Sequence, residues 1–194
     1  MILMSLIIGV LSMITSYYWW TIDWWKPITM TGTIVGIEDF IMGFTTGGIM
    51  ATIYEVIFKR KFYKRKLHHH ITGGLTLLFL LAQTTMWFFW GVGLTSFWSG
   101  IISMSLIASI MLIVRKDLVK NAVLSGILMT LISLLFYYTV LIISPEWINN
   151  TYLSGLSNIH ITGIPIEEYI FWFFAGLVFG PFYEYWQGER LRSA

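Results

Sequence analysis

The chain contains no cysteine and few charged residues. The absence of cysteine excludes disulfides, Cys-ligated zinc or iron–sulfur centres and a thiol nucleophile. Charged residues account for 11% of the 194 residues, whereas a soluble domain needs roughly 25% to cover its surface. Hydrophobic residues account for 57%. This balance excludes an ordinary soluble domain and predicts a protein that lies in a lipid bilayer.

Several motifs of cofactor chemistry and hydrolysis are also missing. The sequence has no G-x-G-x-x-G, no P-loop, no G-x-S-x-G and no H-E-x-x-H. It also lacks a D-x-x-x-D pair that could hold the magnesium of a prenyl diphosphate. We therefore expect no cofactor, no metal site and no nucleic-acid partner.

Apolar runs near 20 residues recur along the chain. A helix of that length crosses about 30 Å of hydrocarbon. The sequence predicts an all-α, polytopic membrane bundle of six transmembrane helices. They cover about residues 2–20, 33–58, 71–91, 95–114, 119–143 and 164–186.

Lysine and arginine are concentrated in alternate connections. Eleven of the twelve basic residues follow the second or fourth span or lie in the C-terminal tail, and only Lys26 lies opposite. Because basic residues favour the cytoplasmic side, six spans place both termini in the cytoplasm, whereas five or seven would divide the clusters. An aromatic belt is predicted at the outer interface. Its members are Trp19, Trp20, Trp24, Trp25, Trp87, Trp90, Trp98 and Trp147.

Two segments of the chain resemble each other. Residues 36–55 read GIEDFIMGFTTGGIMATIYE, and residues 165–184 read PIEEYIFWFFAGLVFGPFYE. Both would run inward from the outer face, so the repeat is parallel, with a pseudo-two-fold axis along the membrane normal. We predict two three-helix halves, 1–92 and 93–194. Small residues at four-residue spacing in both copies allow close helix packing, within the chain or in a homodimer.

The repeat carries a pair of acids near the outer end of each copy, Glu38 with Asp39 and Glu167 with Glu168. A charged side chain deep in the bilayer costs about 2.5–3.5 kcal/mol, and no basic residue lies at that depth to offset it. We therefore expect some of the four to be protonated, which supplies a proton donor beside an ionised base. We predict that they are catalytic; helix capping is the structural alternative.

A second pair of acids, Glu55 and Glu184, ends the two copies. Each lies 17 residues beyond the first acid of its copy, or about 25 Å along a helix. This spacing places them at the cytoplasmic end, where we predict a structural or gating role.

The residues PIEE at 165–168, followed by Phe171, form a P-x-E-E motif that opens a transmembrane helix. In a small membrane protein with an internal repeat, this motif resembles the lycopene cyclase domain family, whose members are two-subunit or fused integral-membrane enzymes. Residues 36–40, GIEDF, are the weaker counterpart. There, Gly36 replaces the proline and Asp39 replaces the second glutamate.

The resemblance implies a non-redox reaction on lycopene or a related acyclic carotenoid taken from the bilayer. A buried carboxylic acid protonates the ψ-end, the next double bond closes a six-membered ring, and a carboxylate removes a proton. The enzyme would be an intramolecular lyase or isomerase. Aromatic faces could stabilise the cation, although ordinary packing explains each ring equally well. The candidates for substrate binding are Phe40, Phe44, Tyr169, Phe171, Trp172 and Phe173.

Three other functions remain open from the sequence. A proton- or cation-coupled transporter would also use repeated membrane carboxylates. A carotenoid or isoprenoid hydratase or isomerase could use the same acids, with water capturing the cation in the first case. A purely structural subunit leaves the energetic cost of the acids unexplained.

Overall fold

The computed structural model describes residues 1–63, 71–153, 157–188 and 190–193. Helices dominate these ranges, which confirms the predicted helical class. They are α1 (Ile2–Thr15), α2 (Ile37–Met50), α3 (Ile53–Ile57), α4 (Ile71–Met86), α5 (Ser96–Val114), α6 (Val119–Ile143), α7 (Trp147–Thr151), α8 (Ile166–Phe179) and α9 (Phe182–Gln187). π-helical turns extend α1 through Ser16–Trp20 and α4 through Trp87–Val92. A short α-helical turn, Thr21–Asp23, follows the first of these, and a 3₁₀ turn, Lys116–Leu118, precedes α6.

Two short antiparallel pairs of strands complete the described structure. Strand β1 (Arg60–Tyr63) pairs with β4 (Arg190–Ser193), and β2 (His160–Ile161) pairs with β3 (Ile164–Pro165). The first pair joins the ends of the two repeated segments. The second directs the chain into α8, immediately before the P-x-E-E acids.

Four helices of the described chain are long and apolar enough to cross a membrane: Ile2–Asp23, Thr72–Val92, Ser96–Val114 and Lys116–Ile143. They correspond to the first, third, fourth and fifth predicted spans. The protein therefore has the helices of an integral membrane protein. The count of six spans and the orientation of the termini stay predictions.

The second and sixth predicted spans are each divided into two helices. Between α8 and α9 the break follows from Pro181, which lacks an N–H and whose ring clashes with the carbonyl of residue 177. Between α2 and α3 the break lies at Ala51 and Thr52, and the Thr52 hydroxyl donates to the Gly48 carbonyl at 2.8 Å. The second acids, Glu55 and Glu184, therefore lie on separate short helices.

Two helix pairs pack at very short range, α1 against α2 and α6 against α8. A Cβ placed on Gly47 would meet the Ile8 side chain at 2.6 Å, and one on Gly176 would meet the Ser125 carbonyl oxygen at 2.6 Å. The small residues predicted to mediate helix contact thus do so inside the chain. Whether the chain also forms a homodimer stays a prediction.

Replacing Gly176 by Ala is expected to destabilise the protein by about 1–3 kcal/mol, because the obstacle is backbone and cannot rotate away. The measurement is the thermal unfolding midpoint of the detergent-solubilised protein. The matched control is Gly91→Ala, where the nearest atom to the new methyl belongs to the Trp87 side chain at 3.3 Å. Equal midpoints for the two variants would contradict the close-packing account.

The two predicted halves are interleaved. Helix α3 of the first half packs on α6 of the second, and α9 of the second packs on α4 of the first. Helix α5 lies centrally, with Ser99, Ser103 and Met111 fully buried, and it contacts both α4 and α8. The division at residues 92 and 93 and the internal repeat itself stay predictions. The basic residues Lys64, Arg65 and Lys66 lie outside the described ranges.

Candidate active site

A cavity of about 210 Å³ lies between the α1–α2 pair and the helices α4, α5, α6 and α8. Its lining is mostly apolar. The hydroxyl and carboxyl side chains on it are Ser12, Thr15, Ser16, Asp39, Thr46, Thr85, Tyr137, Tyr152 and Glu168. One carboxyl from each predicted acid pair therefore faces the same apolar cavity.

Glu168 is held by aromatic donors. It lies in the first turn of α8 and is 4% exposed. The Tyr137 hydroxyl from α6 donates a short hydrogen bond to its Oε2. The Trp172 indole, one turn further along α8, donates to the same oxygen at 3.1 Å. Both donors therefore reach the same carboxyl oxygen.

Tyr152 extends this network toward the loop after α7. Its hydroxyl lies 3.1 Å from that of Tyr137, and it lines the cavity as well. Burial, followed by the charge of Glu168, raises the pKa of Tyr152 well above its usual value. The Tyr152 hydroxyl therefore stays protonated at neutral pH and can donate a hydrogen bond.

Asp39 faces the cavity from the first turn of α2 and is 4% exposed. Its Oδ1 accepts from the Ser16 hydroxyl at 2.7 Å, and its Oδ2 accepts from the Gly36 backbone N–H at 2.9 Å. The second of these bonds caps the helix start. Both oxygens of Asp39 thus have a hydrogen-bond donor.

The other member of each pair faces away from the cavity lining. The Ser157 backbone N–H donates to Glu167 at 2.8 Å, and the Met30 backbone N–H donates to Glu38. Each carboxyl therefore forms a hydrogen bond with the backbone of the loop that precedes its helix. Neighbouring residues on a helix point about 100° apart, so the two adjacent acids of each pair face two different environments.

The six aromatic candidates also divide. Phe171 and Trp172 line the cavity, and Phe40, Phe44, Tyr169 and Phe173 lie outside its lining. The ring of Phe40 packs against Gly9, and the ring of Phe173 packs against Gly126. The Tyr169 hydroxyl donates to the Ile161 carbonyl at 3.0 Å. The substrate-binding roles of all six stay predictions.

Four residues of the predicted outer belt form part of the cavity wall: Trp19, Trp20, Trp24 and Trp25. The rings of Trp20 and Trp24 lie 5.8 and 4.9 Å from Phe171, centroid to centroid. Trp24 is 4% exposed, whereas Trp87 is 61% exposed. The ring of Trp24 therefore packs inside the chain, and the placement of the belt at the membrane interface stays a prediction.

The tyrosines and Ser16 were not found from the sequence. Tyr137 lies in an apolar helix and Tyr152 in a loop, 31 and 16 residues before Glu168. No motif or spacing links them to the acids. A buried carboxyl does require donors, and that requirement is the only signal that could have directed the search toward hydroxyl side chains.

Glu55 and Glu184 meet at the other end of the repeated segments, and both are buried. The Asn121 amide donates to Glu184 at 2.6 Å, and the Ser125 hydroxyl donates to Asn121 at 2.9 Å. Arg115 reaches the Glu184 carbonyl at 3.4 Å. Neither acid lines the cavity. The contacts join the ends of α3, α6 and α9, and the gating role stays a prediction.

Comparison with known proteins gives one family match. The family model described as lycopene cyclase matches residues 95–186, a range that contains the P-x-E-E motif, Tyr137, Tyr152 and Glu184 but not Asp39. No curated protein and no solved structure matches the chain. The match confirms the resemblance found from the motif, and it covers 92 of the 194 residues, slightly less than half of the chain.

Proposed function

We propose that the chain cyclises the ψ-end of lycopene or a related acyclic carotenoid by proton transfer inside the cavity. The family match supports an enzyme that acts on carotenoids. The observation that carries the proposal is that Glu168 and Asp39 both line one apolar, tryptophan-lined cavity. An apolar polyene end fits such a lining, and the two carboxyls supply the acid and the base that ring closure needs.

Glu168 is the acid in this proposal. Its Oε2 accepts from Tyr137 and Trp172, and in this proposal Oε1 carries the proton. Transfer of that proton to the terminal double bond forms one C–H bond and leaves a tertiary cation. The electron pair of the next double bond then closes the six-membered ring and moves the positive charge onto a ring carbon.

Asp39 is the base. Its two oxygens accept from Ser16 and from the Gly36 N–H, which fixes the orientation of its carboxyl group at the cavity wall. It removes a proton from a carbon next to the cation, and the released electron pair forms the ring double bond. One proton enters and one leaves, so the product is an isomer of the substrate and no electrons are transferred.

Aromatic faces surround the space in which the cation forms. Trp20, Trp24, Phe171 and Trp172 all line the cavity. Aromatic faces attract a positive charge by about 0.5–2 kcal/mol each, and more strongly when water is excluded. These rings also supply no oxygen that could capture the cation, which favours proton loss over hydration.

The proposed site requires a definite placement in the membrane. We propose six crossings, with α2–α3 and α8–α9 as the two divided ones and with both termini in the cytoplasm. The division of basic residues supports this orientation. In this proposed arrangement, Asp39 and Glu168 lie in the outer half of the bilayer, where an apolar substrate dissolved in lipid can reach them.

Expression of the chain in a lycopene-accumulating bacterial host tests the function. Chromatography of the pigments is expected to show new carotenoids with the mass of lycopene and cyclic ends, and the ring type follows from their absorption and retention. A product heavier by one water would identify a hydratase instead. Unchanged lycopene, with the protein present in the membrane, would overturn the cyclase proposal.

A further inference from the structure

The cavity is small compared with any carotenoid. Ligand pockets usually measure about 300–1,000 Å³, and this one measures about 210 Å³. The cavity is thus smaller than the usual pocket for a drug-sized ligand, and a carotenoid is much longer than such a ligand. The remainder of a long polyene must therefore lie outside the cavity when its end lies beside Glu168.

The wall of the cavity is incomplete on the side of α4. Helices α1, α2 and α4 all contribute lining residues. Among the described residues, however, α4 packs on α5 and α9 and makes hardly any contact with α1 or α2. The acids lie at the closed end, where Asp39 and Glu168 are each 4% exposed, whereas Ile14 on the α1 wall is 44% exposed. The cavity thus reaches the surface between α4 and the α1–α2 pair.

The rim of this gap is suited to lipid rather than water. The α4 residues that line it are Leu78, Leu81, Ala82 and Thr85. Across the gap lie Met42 and Thr46 of α2. The outer face of α4 beside the gap is apolar as well, with Phe79 exposed by 63%. The only charged side chains on the lining of the described cavity are the two acids at its closed end.

We propose that the gap between α4 and the α1–α2 pair is a lateral portal, through which an acyclic polyene inserts one end group from the bilayer while its remainder stays in lipid. This inference rests on the proposed cyclase function. Because only the end group contacts the site, the length and far end of the substrate have little influence on the reaction. A substrate with two acyclic ends must be released and bind again to become bicyclic, so a monocyclic intermediate accumulates.

The portal has two tests in membranes that contain the intact protein. In the first, wild-type protein receives lycopene or a carotenoid whose far end is already cyclised. The initial rates per acyclic end are expected to agree within about threefold, and a monocyclic product is expected to precede the bicyclic one. A rate more than about tenfold lower for the half-cyclised substrate, or a bicyclic product with no monocyclic precursor, would overturn the single-end reading.

The second test narrows the gap. Ala82→Trp places an indole in it and is expected to lower the rate at least about tenfold, because the end group can no longer reach the acids. Leu80→Trp is the matched control on the outward side of α4, and it is expected to keep the wild-type rate at an equal membrane level. Full activity of Ala82→Trp would overturn the portal while leaving the cyclase proposal intact. Inactivity of the wild type toward both substrates would overturn the cyclase proposal and the portal with it.

Discussion

Replacing Glu168 by Gln is expected to lower the cyclisation rate by about 10²–10⁴-fold, the range that a positioned general acid contributes. Glutamine keeps the shape of the side chain and can still accept from Tyr137 and Trp172 through its amide oxygen. It has no proton acidic enough to transfer to a double bond. The measurement is the initial rate of cyclic carotenoid formation in isolated membranes, normalised to the amount of protein.

Glu167→Gln is the matched control for this variant. Glu167 precedes Glu168 directly, but its carboxyl accepts from the Ser157 backbone N–H, and it does not line the cavity. A glutamine oxygen can accept the same bond, so we expect a rate within a few-fold of the wild type. A large loss in Glu167→Gln together with full activity in Glu168→Gln would reverse the assignment within the pair.

Replacing Asp39 by Asn is expected to lower the rate by a similar factor, about 10²–10⁴-fold, because the amide cannot accept the proton that leaves the ring. The same change weakens the hydrogen bonds to Ser16 and to the Gly36 N–H, so a loss of stability of about 1 kcal/mol accompanies it. The rate must therefore be compared with the fraction of folded protein, measured by thermal unfolding in detergent.

Ser16→Ala separates the two effects of the Asp39 substitution. It removes the 2.7 Å bond to Oδ1 but leaves the carboxylate in the cavity. We expect Ser16→Ala to keep at least about a tenth of the wild-type rate, since one neutral hydrogen bond contributes about 1 kcal/mol. Equal losses in Ser16→Ala and Asp39→Asn would show that Asp39 acts through structure and not as the base.

The acid pairs show how much of the candidate site could be predicted from the sequence. Adjacent carboxylates in an apolar segment are conspicuous because their burial is costly, and their repetition 129 residues apart drew attention to both copies. Which member of each pair faces the cavity depends on the rotation of α2 against α1 and of α8 against α6. That rotation is set by contacts such as the one between Gly176 and Ser125, and no single segment encodes it.

The hydrogen-bond donors to Glu168 could not be predicted from the sequence. Tyr137 is one of several polar residues in a long and mostly apolar helix, and nothing in its sequence position distinguishes it from the neighbouring Tyr138. Its partnership with Glu168 arises because α6 and α8 pack directly against each other. Similarly, Trp24 has the composition of an interfacial residue, and only the turn at the end of α1 places its ring beside Phe171.

The sequence by itself determined the membrane class, the positions of the apolar helices, the four acids and the family motif. Each of these follows from local composition or spacing, which can be recognised without knowing how the segments pack against one another. Tertiary structure alone decided that Asp39 and Glu168 share a cavity, that Glu38 and Glu167 secure loops, and that the wall opens beside α4. Those features depend on how separate helices meet, because a cavity is bounded by side chains that are distant in the chain and contact one another only after packing.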